Sequence, residues 1–181
     1  LDQLRPFLVR PVIRVSVVSP YFDASFAFLR QVLEDFGTPA LLVGVEPSSS
    51  ECSHDAPLRL VHARFLDVSS LGPDWDKRLH AKIFRFEFQG GGSVVVTGSA
   101  NASRSAWLTA DGSGNAEMVI VHANGDDVWQ TLGLAGFADL PEVGPDEWQA
   151  LKVRKEASIE ELSARTAALF KKPTSVFEKI V

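Results

Sequence analysis

The residues best suited to chemistry lie in two short motifs between residues 80 and 101. His80 and Lys82 form an HxK pair, and Ser99 and Asn101 belong to a GSAN segment that follows. Side chains two positions apart share one face of a strand, so His80 and Lys82 are expected to point the same way. An imidazole facing a phosphate can attack phosphorus while a neighbouring ammonium neutralises the phosphate oxygens. An HxK pair alone is a weak signal, because such pairs arise by chance.

The GSAN segment strengthens the prediction of an anion site. Residues 94–97 are rich in valine and predict a strand, after which Gly98 permits a close backbone turn. Ser99 and Asn101 supply hydroxyl and amide donors. A short helix is expected over residues 102–108, and its free N–H groups and positive dipole end would favour an anion.

A glycine-rich turn is expected to bring the two motifs together. The run Gly90-Gly91-Gly92 predicts a hairpin between the strand that follows Lys82 and the strand that ends at Gly98. The start of the first strand then lies beside the end of the second. His80 and Ser99 are therefore expected to be close, with two phosphate-binding ends converging.

The elements that position these motifs alternate between strands and helices. Further strands are expected at residues 12–19, 40–45, 58–65 and 116–122, and helices at residues 23–36 (with Asp23 as N-cap), 126–134 and 157–170. This order predicts an α/β fold, a mixed β-sheet flanked by helices. Residues 1–156 are expected to form one domain with a single HxK motif. Residues 157–181 are expected to form a C-terminal amphipathic helix and tail, which could begin a further region.

Composition sets the class of protein. The chain has 181 residues, of which 45% are hydrophobic and 23% charged, and it shows no signal peptide or long apolar run. The single cysteine, Cys52, excludes an internal disulfide and indicates a reducing, cytoplasmic location. No cysteine cluster or HExxH pattern predicts zinc. The chain begins at Leu1 without an initiator methionine, and we expect it to be a piece of a longer protein.

The charge is unevenly distributed. A formal net charge of −5 argues against a surface coated in basic residues for nucleic acid. Residues 58–104 nevertheless contain seven Lys or Arg against four Asp or Glu, so the motif region has a local basic excess. Ordinary surface scatter explains an excess of this size equally well.

The motifs together resemble those of the phospholipase D superfamily. The likeness is carried by HAK at His80–Lys82, GSANAS at Gly98–Ser103, and Glu117 in the following predicted strand, NAEMVIV. The family signature is HxK, four residues, Asp, and then GSxN. The likeness is specific over residues 79–121 and elsewhere extends only to the order of strands and helices.

The resemblance implies a role for each motif residue. His80 would be the nucleophile that forms a phosphohistidine, and Lys82, Ser99 and Asn101 would hold the phosphoryl oxygens. Glu117 matches the carboxylate that orients the nucleophilic histidine. No metal or other cofactor is implied.

Two features depart from the family pattern. The acid after HxK is Glu87 instead of Asp, and by strand alternation it faces away from His80 and Lys82, which predicts a supporting role. The tyrosyl-DNA phosphodiesterase branch lacks this acid, and GSANASRSAW is similar to the corresponding segment there. The chain also contains one HxK motif where the family uses two, the second histidine protonating the leaving group. A homodimer partner or the rest of a longer chain is therefore expected to supply the second half-site.

The remaining histidines and two tryptophans are expected to lie outside the chemistry. His54, His62 and His122 form no second HxK motif and are expected to be ordinary surface or strand residues. Trp75 and Trp107 could stack on a base, but packing is the preferred interpretation.

Three functions follow from these patterns. The preferred one is a metal-independent phosphodiesterase acting on nucleic acid, favoured by the local basic excess, the missing secretion signal and the likeness to nuclease-type members. The first alternative keeps the chemistry and takes a phospholipid, although no segment suited to membrane docking is evident and no integral membrane association is expected. The second alternative is a catalytically inactive binding or dimerisation module, motivated by Glu87 and the solitary motif.

Overall fold

The computed structural model describes residues 1–37, 39–47, 49–52, 60–72, 80–109, 114–144 and 146–148. The chain divides into two compact units, Leu1–Gly144 and Pro145–Val181. Most of the second unit, including the predicted helix at residues 157–170 and the predicted boundary at residue 156, lies outside the described residues. The site predicted from sequence belongs entirely to the first unit.

The first unit contains a six-stranded mixed β-sheet. The strands are β1 (Val12–Val18), β2 (Ala40–Val45), β3 (Ala63–Asp67), β4 (Ile83–Phe88), β5 (Ser93–Gly98) and β6 (Val119–His122). Their order in the sheet is β3-β2-β1-β4-β5-β6. The pairs β1/β2 and β2/β3 are parallel, whereas β1/β4, β4/β5 and β5/β6 are antiparallel. The predicted fold class, a mixed α/β sheet flanked by helices, is confirmed.

The flanking helices in the described residues are short. They are the α-helices α1 (Ala27–Asp35), α2 (Arg104–Trp107) and α3 (Gly125–Thr131) and the 3₁₀ helices η1 (Asp2–Phe7), η2 (Val68–Leu71) and η3 (Phe137–Asp139). None of the helices in this part of the chain is long and apolar enough to cross a bilayer.

Apolar side chains cover both faces of the sheet, because strand residues alternate between them. On one face, Phe84 packs its ring against Phe28 of α1 and Trp107 of α2, with ring centroids 5.3 Å and 5.0 Å away. The preferred interpretation of Trp107 as a packing residue is thereby confirmed. On the other face a buried cluster includes Ile83, Val95 and Trp129.

The strand directions create two functionally different ends of the sheet. The carboxyl ends of β1, β2, β3 and β5 meet the amino ends of β4 and β6 at one end, which we call the motif end. The opposite end, which we call the hairpin end, contains the turn between β4 and β5. There Gly90, Gly91 and Gly92 all have positive φ, and the predicted glycine hairpin is confirmed.

Several predicted boundaries are wrong. Strand β6 begins at Val119 and not at residue 116, and α3 ends at Thr131 and not at residue 134. Helix α1 begins at Ala27 because Phe26, the residue before it, is buried in a left-handed conformation with φ 53°. Asp23 still caps the helix from a distance, since its Oδ1 accepts the Ala27 N–H at 2.9 Å. Strand β3 begins later than residue 58 because Ala63 donates to the Leu60 carbonyl across a turn at 2.8 Å.

Candidate active site

The HxK pair lies immediately before β4, at the motif end of the sheet. His80 is exposed, whereas Lys82 is only 8% exposed. The Lys82 Nζ lies 3.3 Å from His80 Nε2 and donates to the His80 carbonyl at 3.0 Å. The two side chains therefore point the same way, as predicted, although neither residue belongs to the strand itself.

Burial affects the charge of Lys82. Desolvation lowers the pKa of its ammonium below the ordinary value, and the negative charge of Glu117 partly opposes this shift. A phosphate arriving at this position would favour the charged form further. Lys82 is thus a partly desolvated cation with one carboxylate in its vicinity.

The GSAN segment is fixed against β6. Gly98 pairs with Val119, and beyond this pair the Ser99 N–H donates to the Met118 carbonyl at 2.9 Å. A Cβ on Gly98 would lie 2.1 Å from that same carbonyl oxygen. The predicted close turn at Gly98 is confirmed, and the group that approaches it is the backbone of the neighbouring chain segment.

Glu117 connects the two motifs. Its Oε2 accepts a hydrogen bond from Ser99 Oγ at 2.5 Å, and its Oε1 accepts one from Asn115 Nδ2 at 3.2 Å. Its charge also acts on Lys82. Among the described contacts Glu117 makes no hydrogen bond to His80, so its predicted role in orienting that histidine stays a prediction.

Asn101 is held through its backbone carbonyl. Its carbonyl oxygen accepts from the Trp107 indole N–H at 2.9 Å and from the Ser103 amide at 2.8 Å. The side-chain Oδ1 is buried, and within the described part of the chain it has no hydrogen-bond partner. A buried acceptor without a donor is costly. We therefore expect a hydrogen-bond donor outside the described residues to contact Oδ1.

The expected anion site at a helix N-terminus is wrong. Helix α2 has four residues, and its neighbouring amides already donate within the protein. The Ala102 N–H donates to Ser19 Oγ at 3.1 Å, and the Arg104 N–H donates to Asp23 Oδ2 at 2.9 Å. Sequence reasoning did not connect Ser19 or Asp23 with this site, since both are distant in the chain and only the fold brings them there.

Glu87 lies towards the hairpin end, away from the HxK pair. Its carboxylate contacts Arg14 at 3.4 Å and Arg85 at 3.3 Å. This position agrees with the prediction from strand alternation that Glu87 does not face the phosphate.

The two other histidines in the described residues, His62 and His122, make no described contact with the HxK pair. His122 contacts Thr97 Oγ1 through Nε2 at 3.1 Å, and His62 is exposed. His54 and Trp75 lie outside the described residues.

The structure therefore brings His80, Lys82, Ser99 and Glu117 to one end of the sheet, with the backbone of Asn101 fixed beside them. No group of three or more His, Cys, Asp or Glu residues in the described ranges is arranged to hold a metal ion. Compared with known proteins, the sequence matches no family model, and no curated protein is significantly similar to it.

Proposed function

We propose that this chain is one half of a metal-independent phosphodiesterase that works through a phosphohistidine. The observation that carries the proposal is the meeting of two separate motifs at the motif end. The His80–Lys82 pair and Ser99 reach this end from different strands, and Glu117 hydrogen-bonds Ser99 while its charge acts on Lys82. The resemblance of the two sequence motifs to those of the phospholipase D superfamily also supports the proposal.

The first chemical step is attack by His80 Nε2 on phosphorus. A nitrogen–phosphorus bond forms, the bond to the leaving oxygen breaks, and an acid from the second half-site protonates that oxygen. The same group of the second half-site, now a base, then takes a proton from water, whose oxygen attacks phosphorus and breaks the nitrogen–phosphorus bond. Lys82 Nζ, now 3.3 Å from Nε2, would turn to the phosphoryl oxygens and neutralise their charge.

Nucleic acid is the proposed substrate class. Its support is the local basic excess of residues 58–104 and the likeness of the motifs to nuclease-type members. The second half-site comes from a second copy of the chain or from the rest of a longer protein, because the motif end presents one HxK histidine and the reaction needs an acid on the far side of the phosphate.

The test compares cleavage of labelled single-stranded DNA in EDTA by the wild type, His80→Asn and His62→Asn. His62 is an exposed histidine outside the site, so it controls for the loss of an imidazole. We expect His80→Asn to lose roughly a thousandfold or more of the activity, because the nucleophile is gone, while His62→Asn remains active. Quenching of the wild type in alkaline detergent should also trap a phosphoryl group that is stable to base, is released by acid and is absent from His80→Asn.

Cleavage by His80→Asn at the wild-type rate would contradict the mechanism. Release of choline from phosphatidylcholine without DNA cleavage would support the same chemistry and indicate a phospholipid substrate. A rate per protein that rises with protein concentration, followed in parallel by light scattering, would assign the second half-site to another copy of the chain.

A further inference from the structure

We propose that Asp23 and Ser19 are positioning residues that hold the backbone around Asn101 in its working geometry, an inference that rests on the proposed function. Both residues lie in the segment that leads from β1 to α1, far in sequence from the GSAN turn. Neither reaches the HxK pair through a described contact. Their effect on chemistry would act through the turn that carries Asn101.

Ser19 anchors the turn on one side. It is 0% exposed, its Oγ donates to the Tyr21 carbonyl at 2.9 Å, and the same oxygen accepts the Ala102 N–H at 3.1 Å. Phe22 adds an isolated β-bridge to Ala102. The residue directly after Asn101 is thereby fixed to the end of β1 by a fully buried group.

Asp23 anchors the turn a second time and uses its two oxygens for different elements. Oδ1 accepts from the Ala27 N–H at 2.9 Å and from Ser25 Oγ at 2.7 Å, which caps α1. Oδ2 accepts the Arg104 N–H at 2.9 Å, which reaches the start of α2. Burial alone would raise the pKa of Asp23, but the hydrogen bonds from Ala27, Ser25 and Arg104 outweigh it and lower the pKa.

The turn is held through its backbone on both sides of the Asn101 side chain. The indole of Trp107 fixes the Asn101 carbonyl, and Ser19 and Asp23 fix the amides that follow. The Asn101 Oδ1 has no partner in the described residues. A rigid backbone beneath this side chain is the arrangement expected of a group that must meet a transition state without rearranging. The Nδ2 donor is the part of the amide that can contact phosphoryl oxygens.

The Asp23 carboxylate also occupies the place an anion would take at the start of α2. A negative group is favoured near helix amides, and here the protein supplies its own. The Arg104 N–H is thereby not available to a substrate phosphate.

Asp23→Asn separates the two tasks of this residue. Asparagine caps helices about as well as aspartate, so one oxygen can still serve Ala27. An NH₂ group replaces Oδ2, so a donor then faces the Arg104 N–H donor and no hydrogen bond can form. The cap of α1 survives while the tether to the turn is lost.

The experiment measures hydrolysis of bis(p-nitrophenyl) phosphate by wild type, Asp23→Asn, Ser19→Ala and the control Asp127→Asn, whose carboxylate is exposed on α3. We expect kcat to fall about tenfold in Asp23→Asn, corresponding to about 1.4 kcal/mol of transition-state stabilisation. KM should rise, because the loosened turn holds the phosphate less well, whereas removal of a negative charge alone would lower it. Ser19→Ala should also lower kcat, and Asp127→Asn should behave as the wild type.

Hydrogen–deuterium exchange provides a readout that does not depend on turnover. The segment containing Ala102 and Arg104 should exchange faster in Asp23→Asn, with the segment containing Ala27 unchanged. A wild-type kcat in both Asp23→Asn and Ser19→Ala, or unchanged exchange in the turn, would overturn the inference.

An inactive wild type would contradict only the proposed function. The affinity of the variants for tungstate would then test whether Asp23 positions the turn. Weaker tungstate binding by Asp23→Asn supports positioning, because removal of a negative charge should by itself strengthen anion binding. Equal or tighter binding overturns it.

Discussion

The two ends of the sheet both contain charged side chains, but these side chains are paired very differently. At the hairpin end, Arg85 contacts Ser93, Asp126 and Glu87 at 3.2, 2.7 and 3.3 Å, and its guanidinium lies over the Trp129 ring. At the motif end, Lys82 contacts only its neighbour His80 among the described side chains, with Glu117 acting on it through charge alone. One cluster is satisfied within itself and the other is not.

This difference separates structural charges from candidate catalytic ones. The hairpin end even has a groove of about 420 Å³, lined in part by Arg85, Glu87 and Asp126, yet its charged groups already have partners. The motif end has a desolvated ammonium and a buried amide oxygen without a described partner. Unmet buried polar groups cost free energy of folding. A phosphate could satisfy the Lys82 ammonium, whereas the Asn101 Oδ1 needs a hydrogen-bond donor.

The largest expected contrast comes from Lys82→Met. Removing a cation that neutralises phosphoryl oxygens should reduce phosphodiester cleavage by roughly 10²–10³-fold. The free energy of unfolding should stay the same or rise, because methionine fills a similar volume without the cost of burying an ammonium. Cleavage assays and denaturant unfolding of the same preparations check both parts.

The pH dependence of this stability gain follows from the direction of the Lys82 pKa shift. Burial lowers the pKa of Lys82 in the folded protein, so the buried ammonium destabilises the fold below that folded pKa. The penalty is relieved as pH rises from the folded pKa towards the unfolded value near about 10.4. The difference in unfolding free energy between Lys82→Met and wild type should therefore narrow with rising pH. Separately, cleavage by Lys82→Met within threefold of the wild-type rate would show that Lys82 does not belong to the site.

Asp126→Asn should produce the opposite pattern at the hairpin end. Asp126 Oδ1 accepts from Ser93 Oγ at 2.6 Å and from Arg85 at 2.7 Å, and the variant weakens both contacts. We expect about 1 kcal/mol loss of unfolding free energy, kept small because this side chain is 47% exposed and screened by solvent. Cleavage should be unchanged, and the neighbouring Asp127→Asn serves as control in the unfolding measurement.

The loss in Asp126→Asn should depend on pH. Hydrogen bonds from Ser93 and then Arg85 lower the pKa of Asp126, so its contribution is present above the unfolded value of about 3.9 and is lost as pH falls through the folded pKa. The difference in unfolding free energy between wild type and Asp126→Asn should therefore be greater at neutral pH than at acidic pH below the folded pKa of Asp126. Equal differences at both pH values would show that charge plays no part.

Glu87→Asp should have the smallest effect. The change introduces the acid of the phospholipase D signature, but the side chain at this position belongs to the network with Arg14 and Arg85. The shorter carboxylate loses reach to both arginines, which should cost below about 1 kcal/mol of stability. Cleavage should change less than about twofold, and a tenfold gain would show that position 87 acts on the chemistry despite its distance from Lys82.

Strand patterns and turn residues predict the central hairpin well. Valine-rich β5 and the alternating residues of β4 have strong local preferences, and the three glycines between them permit positive φ. The convergence of the HxK pair with the GSAN turn follows from this hairpin, because antiparallel pairing places the start of one strand beside the end of the next. These features depend on residues that are close in sequence.

The supporting contacts could not be predicted in the same way. A serine after a strand predicts no particular donor, and Ser19 receives its hydrogen bond from Ala102, 83 positions away. The hydrogen bond of Glu117 to Ser99 depends on the register of β6 against β5. The late start of α1 depends on the burial of Phe26 in a conformation that local preference disfavours.

The close approach at Gly98 has a consequence for redesign of the site. A methyl group there would collide with the Met118 carbonyl at 2.1 Å and would push away the segment that begins with Glu117. Variants of the candidate site should therefore leave position 98 fixed and change an exposed side chain such as Met118, which is 77% exposed. Gly98 thus limits which neighbouring residues can be replaced.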